Sequence, residues 1–474
     1  MADEKTQVAV VGAGPGGYAA AFLAADLGLK VTLIDPAENP GGVCLYTGCI
    51  PTKALLHVAK TILDARDAPD WGVEFPDPKI NIEKMRAWKE SVVKKLTEGL
   101  GQLTRQRKIS YVKGNARLLT PRSLELEKTD GRKGRLNAEH IVLATGSRPG
   151  AIGGLSFDSQ RVMDSTDALE LSEIPETMLV VGAGYIGLEL GSVYAALGTK
   201  VTMVEMMPGI LPGADRDIVA VFERRAGQLF DSIILNTTVE LKEQKQGIRA
   251  VFKRKDAENS VAVYDRVLLA VGRKPNTDEL GLENTRVQVD EKGFLKVDEQ
   301  RKTDEPSIYA VGDITGNPLL AHKATHEGRV AAEAIAGRKS AFDPRAIPAV
   351  EYTDPEIAWC GLTETQAEEE GREVQVAKFP WGASGRAATL GRSDGLTKLI
   401  IEPASERILG VAIVGTGAGE LISEGALAVE MAALASDLAL TIHPHPTLSE
   451  TLKEAAESFY GEATSIYRPK KRRS

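Results

Sequence analysis

The stretch 41–53, GGVCLYTGCIPTK, carries two of only three cysteines in 474 residues, Cys44 and Cys49, with four residues between them. On a regular helix such a pair is separated by about 7.5 Å of rise alone, and a disulfide needs Cα atoms within roughly 7 Å. A bridge between them therefore requires the backbone to leave a relaxed helix, and Pro51 also disfavours one. A strained bridge is easier to reduce than a structural one, which suits a disulfide that works by opening. Two ordinary buried thiols are the other reading, and the pair alone does not choose between them. Thiol–disulfide exchange also needs a base to make the attacking thiolate. Of the six histidines, His443 and His445 flank Pro444 and precede Pro446, a rigid segment in which imidazoles can be held fixed. Glu450 follows at what reads as a helix start. A carboxylate on the far ring nitrogen would fix the tautomer and stabilise the imidazolium. Cys360, in the apolar setting AWCGL, reads as a buried structural thiol.

The elements around the cysteines follow from pattern. Residues 7–11 (QVAVV) form a short buried strand; Gly12-x-Gly14-x-x-Gly17 and a helical run to Leu27 follow. Gly28 ends that run, and VTLID closes a second strand on Asp35. This is the full strand–helix–strand context of a dinucleotide fingerprint. Gly12 permits a tight turn, Gly14 lets the backbone approach a pyrophosphate, and Gly17 lets helix and strand pack closely. Asp35 is placed to accept from a ribose hydroxyl. The unit recurs at a constant offset of 170: Gly182, Gly184, Gly187, the helix stop Gly198, and Glu205 at the end of VTMVE. Two complete units, each closed by an acid, imply two nucleotide sites.

Further along, 80–107 reads as a polar helix and 109–127 as strands. IVLATGS (141–147) and VLLAVGR (267–273) each read as the exit from a nucleotide domain. IYAVGD (308–313) is a buried strand ending on Asp313, with a helix from HKATHEG onward. From Ile347 the pattern becomes α+β without a fingerprint: strands at 349–353, 374–379, 396–402 and 408–414, helices at 363–370 and 418–435. The tail RPKKRRS is basic and reads as a solvated segment. The expected architecture is α/β, with two Rossmann-like dinucleotide-binding domains and a C-terminal α+β domain. The expected boundaries are 1–150 and 276–346 for the first domain in two parts, 151–275 for the second, and 347–474 for the third.

A dithiol and a nicotinamide each exchange electrons in pairs, but not hydride with one another. A flavin between them reacts with both. One site should therefore hold FAD and the other NAD(P), and the first unit, which leads straight into Cys44 and Cys49, is the better candidate for FAD. Glu205 would accept from a 2′-hydroxyl and repel a 2′-phosphate. Met206, Met207 and Pro208 offer no arginine, so NAD is expected over NADP.

Composition narrows the class. Hydrophobic residues make up 43% and charged residues 26%, a globular mixture. A net charge of −8 argues against a general nucleic-acid binder. No signal-peptide pattern and no membrane span is expected. Three cysteines cannot build a disulfide framework, which fits a reducing cytoplasm, where a disulfide is usually catalytic.

Over Val8 to about Tyr460 the ordered motifs GAGPGG, GGVCLYTGCIPTK, ATGS, GAGYIGLELG, YAVGD, LAHKATHEG and HPHPTLSE closely resemble the dihydrolipoyl dehydrogenases, within the class I pyridine nucleotide–disulfide oxidoreductases. The resemblance implies FAD, NAD and a homodimer whose active site is shared between subunits, the C-terminal domain forming the interface. It implies service to the lipoyl domains and acyltransferase core of 2-oxo-acid dehydrogenase complexes. By the same resemblance Cys44 exchanges with lipoyl sulfur, Cys49 faces the flavin, and Lys53 lies near the flavin's hydride-accepting nitrogen. Asp313 would bind the ribityl chain, and Ala116 and Ala321 would contact flavin. Gly182, Glu205, Val239 and Gly272 match NAD-contacting positions, and Glu189 lies where nicotinamide approaches. His445 is the implied base, oriented by Glu450 of its own subunit and serving the other subunit's dithiol. Departures are small: Tyr46 stands where asparagine is usual, Thr52 for serine and Asp35 for glutamate. Tyr46 lies beside the disulfide, in a position to tune its potential, and the sequence does not say whether it does. A glutathione-type reductase would want arginines after the second unit, and a mercury reductase a cysteine pair near the C-terminus; both are absent. A mainly docking or structural subunit is the reading from another class.

Overall fold

The computed structural model describes residues 4–150, 159–254 and 258–467; the basic tail RPKKRRS falls outside these. The strand Glu4–Val11 lies between Val31–Asp35 and Lys133–Leu143, parallel to both, with Val8 opposite Val31 on one side and His140 on the other. Neighbours on both edges and helices on the faces explain its unbroken apolar run. Ile308–Ala310 adds to the far edge of Lys133–Leu143. Residues past 276 thus return to the first sheet.

The second sheet repeats the plan: Thr177–Val181 pairs in parallel with Lys200–Val204 and with Arg266–Leu269. The conformational correspondence is close. Gly12 and Gly182 have φ of 95° and 100°, and the helix stops Gly28 and Gly198 have 88° and 111°. The two expected exits meet: Ser147–Pro149 pairs antiparallel with Arg273–Pro275. A small antiparallel sheet (Thr237–Gln244, Gly247–Arg254, Ser260–Tyr264) flanks the second one.

The C-terminal sheet has five strands in the order Ala349–Glu351, Glu356–Gly361, Ile408–Gly415, Leu396–Ile401, Gln375–Pro380. Glu356–Gly361 was not among the expected strands, being hidden between Pro355 and a glycine, and it carries Cys360. The single helix expected at 418–435 ends at Glu430; Ala432, at φ 55°, turns the chain into a second helix, Ala435–Leu440.

A buried ion cluster joins the second nucleotide-binding unit to the C-terminal sheet. Lys398, fully buried, places Nζ 2.8 Å from Asp215 and 3.0 Å from Asp217, and also pairs with Glu364. Asp215 further accepts the backbone N–H groups of Glu364 (3.0 Å) and Thr365 (3.1 Å). Among the described residues these three acids form the one group tight enough for a cation, and a lysine ammonium fills it.

Candidate active site

Cys44 sits in a short helix, Gly42–Thr47, and Cys49 opens a long one, Cys49–Asp67. The break expected between them falls at Gly48 (φ −143°, ψ −117°), where a Cβ would strike the Val43 carbonyl oxygen at 2.8 Å. Pro51 is not the cause: it occupies the first turn of the second helix, where a missing N–H costs nothing. The Thr52 hydroxyl donates to Gly48 O (2.7 Å) and pins the corner. The two thiols are free and hydrogen-bonded to one another. Donation to Cys49, then burial, raises the Cys44 thiol. That same bond, helped by the Lys53 charge and opposed by burial, lowers Cys49 to about 7. Cys49 is therefore the sulfur that carries the negative charge.

One turn on, Lys53 Nζ lies 2.8 and 2.9 Å from the two oxygens of Glu189, which is 3% exposed on the second fingerprint helix, Tyr185–Leu197. Glu189 also accepts the Tyr352 backbone N–H (3.1 Å), and the ammonium stands 4.5 Å from the centre of the Tyr352 ring. Burial opposes the charge on Lys53, but Glu189 outweighs it and holds the ammonium above its usual range. Three chain segments thus fix one cation beside Cys49.

These groups line a cavity of about 1410 Å³ that runs back to the first fingerprint. Its walls include Gly12, Gly14, Asp35, Cys44, Cys49, Lys53, Ala116, Asp313, Ala321 and, from the second unit, Tyr185 and Glu189. The glycines divide as their chemistry requires. A Cβ on Gly17 would meet Gly12 O at 1.9 Å and one on Gly187 would meet Gly182 O at 2.0 Å, so both serve helix–strand packing. A Cβ on Gly14 meets only Gly42 Cα, at 3.9 Å, and one on Gly184 nothing within 4 Å. Both backbones are open to a ligand. Gly42 (φ 57°) faces Gly14 so closely that its own Cβ would lie 2.4 Å from Gly14 Cα. Each acid closing a unit grips its own loop: Asp35 accepts from Ala13 N (2.7 Å) and Ala37 N (2.9 Å), Glu205 from Ala183 N (2.9 Å) and Met207 N (2.8 Å). A carboxylate has lone pairs left for a ribose hydroxyl.

Asp313 accepts from Ser147 Oγ (2.5 Å), which in turn accepts from Arg273 Nε (2.7 Å). The two exit segments therefore jointly orient this acid. Behind it Glu327, fully buried, accepts from Gly312 N (2.6 Å) and pairs with Arg301 (3.0 Å) and Lys323 (3.1 Å). Sequence reading missed Glu327, although Lys323 four residues earlier on one helix face was a usable signal. Glu327→Gln leaves both cations undercompensated beside the Gly312–Asp313 corner. A loss of roughly 1–3 kcal/mol is expected, read as a lower temperature of flavin release in a thermal scan.

Of the other second-site positions, Val239 packs half-buried against the second sheet's core and Gly272 (φ 111°) accepts from Gly150 N (2.9 Å). Neither lines the cavity. The two histidines separate clearly. His443 is 4% exposed with both ring nitrogens engaged, by Glu424 (2.8 Å) and Thr441 O (3.0 Å). His445 is 77% exposed; its Nδ1 meets Glu450 at 2.9 Å, and Glu450 is fixed by Thr447 N at 2.8 Å. Burial raises the Glu450 carboxyl, but the Thr447 N–H and His445 outweigh it and hold it low. His445 does not line the cavity that holds the cysteines.

Residues 6–328 match the family model described as pyridine nucleotide-disulphide oxidoreductase, and 347–456 match that family's dimerisation domain. The chain belongs to the pyridine nucleotide-disulphide oxidoreductases. Within this family it is similar to the dihydrolipoyl dehydrogenase of Vibrio parahaemolyticus, 48% identical over 98% of this chain and 97% of that one. The enzyme of Haemophilus influenzae is 47% identical over 98% and 96%. Among solved structures, LpdA of Mycobacterium tuberculosis aligns with a TM-score of 0.89 at 26% identity, over 96% of this chain and 99% of that one. The flavoprotein disulfide reductase RclA of Escherichia coli aligns at 0.85 and 28%, over 96% and 99%.

One family position departs in an unexpected direction. The Tyr46 hydroxyl donates to Asn39 O (2.9 Å) and accepts from Asn39 N (3.3 Å). It braces the loop after Asp35 instead of turning to the sulfurs, so a tuning of their potential has no contact behind it. Cys360 is 2% exposed and burial pushes its thiol up to about 12, as an inert core residue requires.

Proposed function

We propose that this chain is a dihydrolipoamide:NAD oxidoreductase, oxidising protein-bound dihydrolipoyl groups to the disulfide. The observation that carries the reading is the placement of a low-lying Cys49 thiol beside the Lys53–Glu189 pair, in a cavity lined by the first fingerprint and by the helix that follows the second. FAD fits the first unit: Gly14 is open to its pyrophosphate, Asp35 to its ribose, Asp313 to its ribityl chain and Lys53 to its ring. NAD fits the second through Gly184, Glu205 and Glu189. FAD, when bound, supplies a carrier that takes an electron pair from the dithiol and yields it as hydride to NAD.

The protein's own groups do the rest. His445 of a second copy takes a proton from the dihydrolipoyl sulfur, its tautomer held by Glu450. That sulfur attacks Cys44 of the bridged pair, and Cys49 leaves as a thiolate beside the Lys53 ammonium. The second lipoyl sulfur then displaces Cys44, its proton passing to the departing Cys44 sulfur, which closes the lipoyl disulfide and leaves the pair as Cys44 thiol and Cys49 thiolate. We assign 1–150 and 276–346 to the FAD domain, 151–275 to the NAD domain and 347–474 to the interface. Leu427, Met431, Leu440 and Ile442, 62%, 71%, 82% and 95% exposed, offer apolar side chains there that a second copy would cover. The lipoyl domains and acyltransferase core of 2-oxo-acid dehydrogenase complexes are the partners this activity requires, and a cytoplasmic setting fits them. No described helix is long and apolar enough to cross a membrane.

Anaerobic titration of the FAD-loaded protein with dihydrolipoamide tests the reading. A long-wavelength band from the Cys49 thiolate against the flavin is expected, present at alkaline pH and lost as pH falls through about 7. Failure of dihydrolipoamide to reduce the protein would overturn the assignment. The cofactor choice has its own test: with Glu205 gripping the loop and exposed Met206 beside it, steady-state turnover should favour NAD over NADP. A preference for NADP would refute that role for Glu205.

A further inference from the structure

Glu351 ends the strand Ala349–Glu351 with 6% of its surface exposed. Its Oε2 is sealed from solvent and has no hydrogen-bond partner among the described residues, a costly state for a carboxyl. Its chain neighbours Val350 and Tyr352 line the cavity, and Tyr352 N is the donor to Glu189. The charges it feels are Glu189 of the second fingerprint helix and Lys53 of the cysteine helix, and Tyr185 feels it together with Arg273, Asp313 and Cys49. Tyr352 follows it on the chain, with Glu356 of the next strand and Glu420 of the helix Ala418–Glu430 beyond that ring. Lys53 and Glu189 neutralise one another. With the cysteines bridged, Glu351 is the acid that the Lys53–Glu189 pair leaves unanswered, so its proton sets the charge there.

We propose that Glu351 determines how this site discriminates oxidised from reduced nicotinamide, through the charge its side chain adds beside Tyr185 and Glu189. The inference rests on the reading above that the second unit takes NAD. An oxidised nicotinamide ring is a cation and a reduced one is neutral. A negative charge near the ring therefore favours the oxidised form alone. Burial, and secondly Glu189, hold the Glu351 carboxyl well above its ordinary range. Protonated, the carboxyl does not disfavour reduced nucleotide; once it ionises as pH rises, it shifts the balance toward NAD⁺.

The test uses the oxidised FAD enzyme and two unreactive ligands, NAD⁺ and its 1,4,5,6-tetrahydro analogue, whose ring is uncharged and cannot give hydride. Affinities are measured by calorimetry from mildly acid to alkaline pH. The ratio of affinities, NAD⁺ over analogue, should rise roughly tenfold with the loss of one proton, and should stay flat in Glu351→Gln and Glu351→Leu. Near the midpoint NAD⁺ binding should also release protons that analogue binding does not, a measurement on the native enzyme alone. A flat native ratio without proton release, or a rise that survives both substitutions, overturns the proposal. Failure to bind either ligand at any pH would instead overturn the assignment of the second site to NAD, and this inference with it.

Discussion

Replacement of His445 by glutamine should slow dihydrolipoyl oxidation about 10²- to 10⁴-fold while FAD content stays at the native level. The imidazole is exposed, held only through Nδ1 by Glu450, and outside its own chain's cavity. It is presented outward, as the proposed base of a site completed by a second copy would be. Glutamine keeps the size and one hydrogen bond but cannot take the sulfur proton. NADH-driven reduction of a small dye bypasses the lipoyl proton, so it should keep near-native speed. That split separates lost base chemistry from lost structure. His443→Gln should not reproduce it, because both nitrogens of His443 are spent within the chain. A His445→Gln enzyme as fast as native on dihydrolipoamide would refute the assignment.

Lys398→Met should destabilise the folded chain by roughly 3–5 kcal/mol, seen as a lower denaturation midpoint. The lysine is fully buried and answers three acids. Removing it strands the buried Asp215 at the seam between the second unit and the C-terminal sheet, while Asp217 keeps Lys378 at 2.7 Å. Methionine keeps the stem and its packing, so the loss reports the charge. Neutralising the acids as well, with Asp215→Asn and Asp217→Asn, should recover part of the loss, since neighbours in one network do not add. A Lys398→Met protein as stable as native would show that water reaches this cluster.

The fingerprint units were legible because their physics is local. Gly12 turns at φ 95° and Gly17 packs on the Gly12 carbonyl five residues back, and a repeat at fixed offset removes coincidence. The break between the cysteines was legible too, from helix rise against disulfide reach, but its cause was not. Pro51 was the conspicuous residue, yet Gly48 supplies the break because only a residue without Cβ clears the Val43 carbonyl. The Lys53–Glu189–Tyr352 cluster was legible only in part. Its members lie on three distant segments, and no spacing rule links them; the resemblance marked Lys53 and Glu189 but not Tyr352. The strand Glu356–Gly361 was lost for a different reason: buried at the middle of a sheet, it shows no polar alternation to mark it. Tyr46 shows the limit of adjacency, since a residue next to a thiol in sequence turns its hydroxyl elsewhere.

The contact of Gly42 with Gly14 has a consequence for inheritance. The loop that bears the sulfurs meets the first fingerprint loop at Gly42, which cannot acquire a side chain without displacing Gly14. A lineage can redesign its lipoyl partner or its nucleotide preference piecemeal, but these two loops have to travel together as one module.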